Sequence, residues 1–315
     1  MRHDDLVKPP ALRKGDLIGV VAPSSPFDPR RLLTGIRFLQ ARGMAVRCLP
    51  GLFKRRKGFL AGEDAHRAEE LRLMFEDPEV KGVFTARGGY GAQRLLDRLD
   101  PEVIRRNPKI FLGYSDVSCL HFFLLDKCGL VSFHGPLVIE MGALSRWTEL
   151  RLFRALTRPE PPGDLSLPDA RWIRKGVVRG PLVGGNLTIL CSSLGTPWEP
   201  ETEGRVVLLE DRGEKPYRID RMLVQLRQAG KLSCAAAVVF GDLLTGKDGG
   251  TPRREKRILE EVIHENTRSL GVPVVCGLPV GHGRRNLTLP LGVRVEVNGR
   301  RNRFRLLESG VSPRE

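Results

Sequence analysis

Residues 113–116, Gly-Tyr-Ser-Asp, place Ser115 where a short apolar segment passes into a longer one. The apolar residues 110–112 predict a buried strand, and the mostly apolar residues 116–125 predict a helix. A serine at such a corner presents its hydroxyl to a cleft, and the first helical turn offers N–H groups without partners inside the helix. This is the logic of a nucleophile elbow, although Val117 stands where the usual Gly-x-Ser-x-Gly pattern has its second glycine. Ser115 could equally be only the N-cap of the helix.

Two of the six histidines lie where they could act as the base for a nucleophilic serine. His282 stands between two glycines after the β-like residues 273–278, so its imidazole is uncrowded. His134 follows an apolar run and could line a cleft, whereas His121 lies within the predicted elbow helix. An ordinary exposed loop position is the alternative interpretation of His282.

A histidine base is usually oriented by a carboxylate, and one polar stretch supplies three candidates. Glu210 ends the apolar strand 206–209, and Asp211 and Glu214 follow it closely. Sequence spacing does not choose among the three. A strand-end carboxylate of this kind could also form an ion pair with a nearby arginine.

The glycine-rich residues 87–91 join a predicted strand to a helix, so their N–H groups could bind an anion. They lack the Gly-x-x-x-x-Gly-Lys pattern of a phosphate-binding loop. As an oxyanion hole, the turn would combine the N–H of Gly89 with that of Asp116, the residue after the nucleophile. The turn could also be purely structural. Arg87 is a candidate for binding a substrate carboxylate or for a structural ion pair.

The composition describes a globular protein with a basic surface. The chain has 315 residues, 41% hydrophobic and 28% charged, and 52 Lys and Arg against 37 Asp and Glu give a net charge of +15. This length favours two domains. Only residues 54–57 form a compact basic run, and no zinc-finger spacing or RNP-like aromatic motif accompanies it. We therefore expect a solvated basic surface and no nucleic-acid partner.

Cysteine and hydropathy patterns predict a cytoplasmic protein. The six cysteines form no Cys-x-x-Cys pair and most lie in apolar contexts, so we expect free thiols. Residues 1–14 lack the apolar core of a signal peptide, and no stretch reaches the ~18–20 apolar residues of a membrane span. No His-Glu-x-x-His or similar cluster predicts a metal site, and no cofactor is expected.

Alternating strands and helices in the first half predict a parallel sheet covered on both faces. Functional groups in such sheets gather beyond the carboxyl ends of the strands, where residues 87–91 and Ser115 both fall. The predicted organisation is an α/β domain over residues 1–158, a linker over 159–175 and a smaller mixed α/β domain over 176–315.

Seven segments, taken in order, resemble the LD-carboxypeptidase family of serine peptidases. They are residues 22–26, 86–91, 113–116, 133–136, 184–187, 209–211 and 281–282. They run through nearly the whole chain, and their shared order is far more specific than any one motif.

The resemblance implies a Ser-Glu-His triad at Ser115, Glu210 and His282, with the amides of Gly89 and Asp116 as oxyanion donors. It also implies an N-terminal glutamine-amidotransferase-like α/β domain, a C-terminal swivelling β/β/α-type domain and a homodimer. The implied activity is release of the terminal D-alanine from murein tetrapeptide in cell-wall recycling, through an acyl-enzyme and without a metal.

Two alternatives stay open at the level of sequence. One is the microcin-immunity branch of the same fold, which cleaves peptide–nucleotide conjugates and would favour an aromatic ring stacked on the base. The spacing of Trp147, Trp172 and Trp198 places none of them near Ser115. The other is a non-catalytic protein that binds an anion or nucleotide at residues 87–91.

Overall fold

The computed structural model describes residues 6–167, 170–246 and 250–314. The chain divides into two compact units. The first unit holds the residues up to Pro159 together with Thr288–Leu291 and the segment from Ser309 onwards; the second holds Glu160–Leu287 and Gly292–Glu308.

The strands, in chain order, are β1 Leu17–Val21, β2 Ala45–Cys48, β3 Val80–Thr85, β4 Ile110–Gly113, β5 Ser132–His134, β6 Gly163–Ser166, β7 Arg171–Arg174, β8 Val177–Asn186, β9 Val206–Arg212, β10 Ala237–Leu244, β11 Val274–Cys276, β12 Leu289–Leu291, β13 Arg294–Asn298 and β14 Arg303–Leu306. The α-helices are α1 Pro29–Ala41, α2 Asp64–Glu76, α3 Pro101–Arg106, α4 Ser118–Asp126, α5 Val138–Met141, α6 Arg146–Thr157, α7 Leu187–Ser193, α8 Pro216–Gln228 and α9 Arg253–Thr267. Two 3₁₀ segments cover Ala92–Arg98 and Ser115–Val117.

The first unit is built on a six-stranded sheet in the order β12-β5-β4-β3-β1-β2. Strands β1 to β5 pair in parallel, and β12 pairs antiparallel with β5, with Leu289 opposite His134. Every residue of β4 is buried, as expected of a central strand covered on both faces. The carboxyl ends of β1, β3 and β4 therefore bring three loops to one edge of this sheet.

Helix α1 shows how local sequence positions this sheet. The Asp28 carboxylate accepts the N–H of Arg30 at 2.8 Å, and Pro29 occupies the first helical turn, so the start of the helix is specified twice. A Cβ on Gly35 would lie 1.8 Å from the Val138 carbonyl oxygen, so α1 and α5 pack backbone to backbone. Only glycine allows that approach.

The second unit is built on an eight-stranded mixed sheet in the order β6-β14-β13-β8-β9-β10-β11-β7. Its centre, β8 to β11, is parallel, and the strands outside it pair antiparallel. Residues 206–211 of β9 are all buried. The carboxyl ends of β9 and β10 therefore emerge from the apolar centre of the sheet.

The predicted α/β class is confirmed, with a parallel N-terminal sheet and a second, β-rich unit. The structure differs from the prediction at residues 159–175, because β6 and β7 lie there and form the two edges of the second sheet. Those strands are short, and their partners β14 and β11 come roughly 140 and 100 residues later, so local periodicity gave no signal. Likewise, β12 pairs within the first unit although it lies near the C-terminus.

The six cysteines are free thiols, and only Cys234 is exposed. Within the residues that the structure describes, no helix is both long enough and apolar enough to cross a membrane.

Candidate active site

Ser115 lies at a strained corner of the first unit. Its φ is 68°, a left-handed value that Asn302 alone shares among the non-glycine residues described. Such a conformation costs an L-residue about 1–2 kcal/mol. Residues 109–125 are buried except for Ser115, which is half-buried. The corner thus presents one hydroxyl from an otherwise buried segment, as a nucleophile elbow does.

The alternative role of Ser115 as an N-cap does not match this geometry. Ser115 begins the 3₁₀ turn, and Val117 occupies the N-cap position of α4 without a side-chain cap. The Ser115 carbonyl accepts the N–H of Ser118. The Ser115 hydroxyl therefore does not cap α4, which was the alternative role that the sequence allowed.

His121 holds the end of β4 immediately before the corner. Its Nε2 donates to the Gly113 carbonyl at 2.9 Å, since a carbonyl can only accept, and its Nδ1 then accepts from the Ser132 hydroxyl at 2.8 Å. Complete burial lowers the pKa of His121 to about 3. His121 is therefore a neutral structural residue, as its place in the elbow helix indicated.

The glycine turn packs directly against the serine. A Cβ on Gly88 would lie 3.2 Å from Ser115 Oγ, so the backbone of residue 88 borders the hydroxyl. Ser25, from the loop after β1, supports the turn: its N–H donates to the Gly88 carbonyl at 3.3 Å and its Oγ accepts the Tyr90 N–H at 3.1 Å. Gly89 has φ +111°, a value that any side chain would strain.

The Asp116 carboxylate ties this turn to the elbow. Its Oδ2 accepts the N–H of Ala92 at 2.9 Å, and the side chain is almost completely buried. Burial raises the pKa of Asp116, while the backbone N–H groups of Ala92 and Gly91 oppose the shift. The sequence predicted a role only for the backbone of Asp116; its side chain also joins the two loops that carry the candidate oxyanion donors.

Arg87 and His134, two other candidates of the first unit, differ in exposure. Arg87 is exposed, and its guanidinium donates to the Pro26 carbonyl. His134 is fully buried in β5, where its ring centroid lies 5.4 Å from that of Tyr114. Tyr114 in turn donates its hydroxyl to Glu140 Oε1 at 2.7 Å. His134 is therefore part of the packed core behind the elbow.

In the second unit, Glu210 and His282 form a close pair. His282 Nδ1 lies 2.7 Å from Glu210 Oε2, and the side chains are 11% and 0% exposed. An ionised carboxylate can only accept, so Nδ1 carries the proton, and Nε2 is the basic nitrogen of the neutral ring. This is the orientation that a carboxylate imposes on a histidine base.

Glycine is required where the chain passes this pair. A Cβ on Gly281 would lie 2.7 Å from Glu210 Oε2, and the residue has φ +115°. The other carboxylate oxygen, Oε1, accepts from Asn186 Nδ2 at 3.4 Å, and Asn186 also caps α7 through Ile189. The carboxylate is thus held from two sides.

The neighbouring acids have other partners. Asp211 Oδ2 accepts from both the N–H and the hydroxyl of Thr188 at 2.8 Å, and burial, followed by the charge of Glu210, raises its pKa to about 6. Glu214 pairs with Arg218 at 3.3 Å. Of the three acids that sequence spacing left open, only Glu210 contacts His282 among the described residues.

Within the part of the chain that the structure describes, no group of three or more His, Cys, Asp or Glu side chains is arranged to hold a metal ion.

Comparison with known proteins assigns the family. The model of the LD-carboxypeptidase N-terminal domain matches residues 18–135, and that of the C-terminal domain matches residues 179–297. A probable murein peptide carboxypeptidase of Bacillus subtilis is 39% identical over 309 residues, which are 97% of this chain and 95% of that protein. The chain belongs to the LD-carboxypeptidase family, and it is accordingly a serine-type peptidase.

Solved structures with the same fold represent both branches considered above. A muramoyltetrapeptide carboxypeptidase from Oxalobacter formigenes matches with a TM-score of 0.80 and 32% identity, covering 95% of this chain and 100% of that one. The microcin C7 self-immunity protein MccF, in its wild-type apo state, matches with a TM-score of 0.86 and 25% identity, covering 97% and 100%.

Proposed function

We propose that this protein is a serine carboxypeptidase that releases the terminal D-alanine of murein tetrapeptide. The observation that carries the proposal is the Glu210–His282 pair, in which a fully buried carboxylate orients an imidazole for proton transfer. The strained Ser115 supplies the matching nucleophile. Relatives named as murein peptide and muramoyltetrapeptide carboxypeptidases support the substrate class.

In the proposed reaction, His282 Nε2 removes the proton from Ser115, whose oxygen attacks the carbonyl of the bond between an L-centre and the terminal D-alanine. Glu210 keeps the proton of the imidazole on Nδ1 and stabilises the imidazolium that forms. His282 then protonates the leaving amine, and water hydrolyses the acyl-enzyme through the same relay.

The amides of Gly89 and Asp116 are the proposed oxyanion donors. The close approach of the 87–91 turn to Ser115 Oγ and the Asp116–Ala92 hydrogen bond support this assignment. One such donor contributes ~2.7–4 kcal/mol to transition-state stabilisation in comparable sites. Arg87, exposed beside the turn, is the proposed contact for the substrate's free carboxylate, which a guanidinium can bind through two parallel hydrogen bonds.

A second candidate function is hydrolysis of a peptide–nucleotide conjugate. The observation that favours it is the TM-score of 0.86 with the microcin C7 self-immunity protein, against 0.80 with the muramoyltetrapeptide carboxypeptidase. Sequence identity points the other way, at 25% against 32%. We give precedence to the murein substrate because specificity depends on side chains more than on backbone shape.

The deciding experiment measures free D-alanine released from purified murein tetrapeptide by the wild type, Ser115→Ala and the control Ser233→Ala, an exposed serine of the second unit. We expect release by the wild type and the control only. Release by Ser115→Ala would remove Ser115 from the mechanism. A folded wild type that leaves the tetrapeptide intact but cleaves an aminoacyl sulfamoyl adenosine would establish the second function. Anion binding that survives Ser115→Ala without any hydrolysis would establish a non-catalytic binder.

The homodimer implied by the family resemblance and the cytoplasmic location predicted from the cysteine and hydropathy patterns stay predictions. Sedimentation analysis and fractionation of the producing cells would test them.

A further inference from the structure

Three hydrogen bonds converge on residues 281–283 of the second unit, and the triad accounts for only one of them. Glu210 binds the imidazole of His282. On the side before the histidine, the Gly281 N–H donates to Asn286 Oδ1 at 3.2 Å. On the side after it, the Gly283 N–H donates to Asp242 Oδ2 at 2.9 Å. Asp242 is therefore an acidic side chain that holds the backbone beside His282.

Asp242 is well placed to fix that backbone. It lies in β10, and its own N–H donates to the Val280 carbonyl at 2.8 Å. A Cβ on the preceding residue, Gly241, would lie 2.4 Å from that same carbonyl oxygen. A Cβ on Gly283 would lie 2.5 Å from Asp242 Oδ2. Strand β10 and residues 280–283 are thus in close contact on both sides of the histidine.

The charge of Asp242 is coupled to both members of the pair. The pKa of Asp242 is raised to about 6, chiefly by burial; the Gly283 N–H opposes this rise, the negative charge of Glu210 on β9 adds to it, and the charge of His282 opposes it. Because the coupling to His282 is mutual, an ionised Asp242 stabilises the imidazolium.

We propose that Asp242 is a positioning residue of the active site: its carboxylate fixes residues 281–283 through the Gly283 N–H and stabilises His282 in its protonated form. The inference rests on the proposed role of His282 as the base. It adds a second acid to the site, one that acts through the histidine without touching the substrate.

Two substitutions separate the hydrogen bond from the charge. Asp242→Asn keeps an acceptor for the Gly283 N–H but removes the charge, whereas Asp242→Ala removes both. A hydrogen bond to a charged acceptor is stronger than one to a neutral acceptor, so we expect kcat to fall about 10-fold for Asp242→Asn. Asp242→Ala, which loses the acceptor as well, should fall further, and KM should change little in both variants. Glu261→Gln, at an exposed acid of α9, is the control and should keep wild-type kcat.

The pH dependence distinguishes positioning from simple structural support. Without the negative charge, protonated His282 is less stable, so the acid limb of the kcat/KM profile should move to lower pH in Asp242→Asn. Its stability should change in the opposite sense to its activity. Because the pKa of Asp242 is about 6 in the folded protein and about 4 in the unfolded chain, the wild type loses stability as pH rises through that interval. Asp242→Asn has no charge to bury, so it should melt at a higher temperature than the wild type at pH 8.

The closing experiment is an NMR titration of the His282 ring in the wild type, Asp242→Asn and Glu261→Gln, run beside the kinetics. A lower titration midpoint in Asp242→Asn alone, with reduced kcat, supports the proposal. An unchanged midpoint together with wild-type kcat overturns it. The titration needs no substrate, so a wild type inactive on murein tetrapeptide would refute the proposed function while the shifted midpoint still supported the coupling.

Discussion

The two units position their functional groups by different physical means. In the first unit, the backbone conformation positions the serine: Ser115 is held at φ 68°, and glycine at position 88 lets the neighbouring turn approach its hydroxyl. In the second unit, side-chain hydrogen bonds position the histidine: Glu210 orients His282, and further polar groups hold the residues on either side.

This difference predicts different sensitivities. A backbone corner buried among apolar residues should respond mainly to changes of local conformation, and to pH only in acid, where the buried His121 must take up a proton. A pair of ionisable side chains with other acids nearby should respond to charge and pH, because each proton alters its neighbours. The following predictions test that contrast, from the largest expected effect to the smallest.

Glu210→Gln should lower kcat about 10⁴-fold with little change in unfolding temperature. The amide can donate to Nδ1 and so favours the wrong tautomer of His282, as in the aspartate-to-asparagine change of the serine-protease triad. Steady-state kinetics on murein tetrapeptide and a thermal melt would measure both quantities. A wild-type rate would remove Glu210 from the mechanism. Glu214→Gln, at an acid paired with Arg218, is the matched control and should stay active.

Gly281→Ala should destabilise the second unit by about 2–3 kcal/mol and lower kcat. The new Cβ would lie 2.7 Å from Glu210 Oε2 at a φ of +115°, so it both strains the backbone and displaces the carboxylate. Urea unfolding compared with Gly271→Ala, where positive φ occurs in open space, would isolate the clash. Equal losses in the two variants would mean that strain alone is responsible.

His121→Gln should weaken the acid sensitivity of the first unit by about 2 kcal/mol. Because the folded protein lowers the pKa of His121 to about 3, its stabilising contribution is present above about 6.5 and is lost as pH falls towards 3. Unfolding free energies measured across that window should therefore fall less steeply in the variant. His66→Gln, at an exposed histidine of α2, is the control. An identical slope in His121→Gln and wild type would contradict the neutral, buried role.

Ser115→Gly should be more stable than Ser115→Ala by about 1 kcal/mol, although both lack activity. Glycine adopts φ 68° without strain, whereas alanine retains the penalty of a Cβ in the left-handed region. Chemical denaturation of the two inactive variants would measure the difference. Equal stability would show that the corner is not strained in solution.

Much of the first half could be predicted because its signals are local. The apolar strand, the corner at residues 113–116 and the glycine turn at 87–91 each follow from periodicity and turn chemistry within a few residues. The family resemblance then assigned roles to Ser115, Glu210 and His282, and the structure supports the Glu210–His282 contact. The edge strands β6 and β7 escaped prediction because they are short and depend on distant partners.

The sequence by itself determined where a nucleophile, an acid and a base could stand, because strand ends, glycines and helix starts are encoded by neighbouring residues. Only the tertiary structure decided which partners they have. Glu210 reaches His282 across 72 residues, while Asp211 turns to Thr188 and Glu214 to Arg218. Side chains alternate faces along a strand, so the adjacent acids Glu210 and Asp211 of β9 meet different neighbours, and both of those neighbours come from segments distant in sequence.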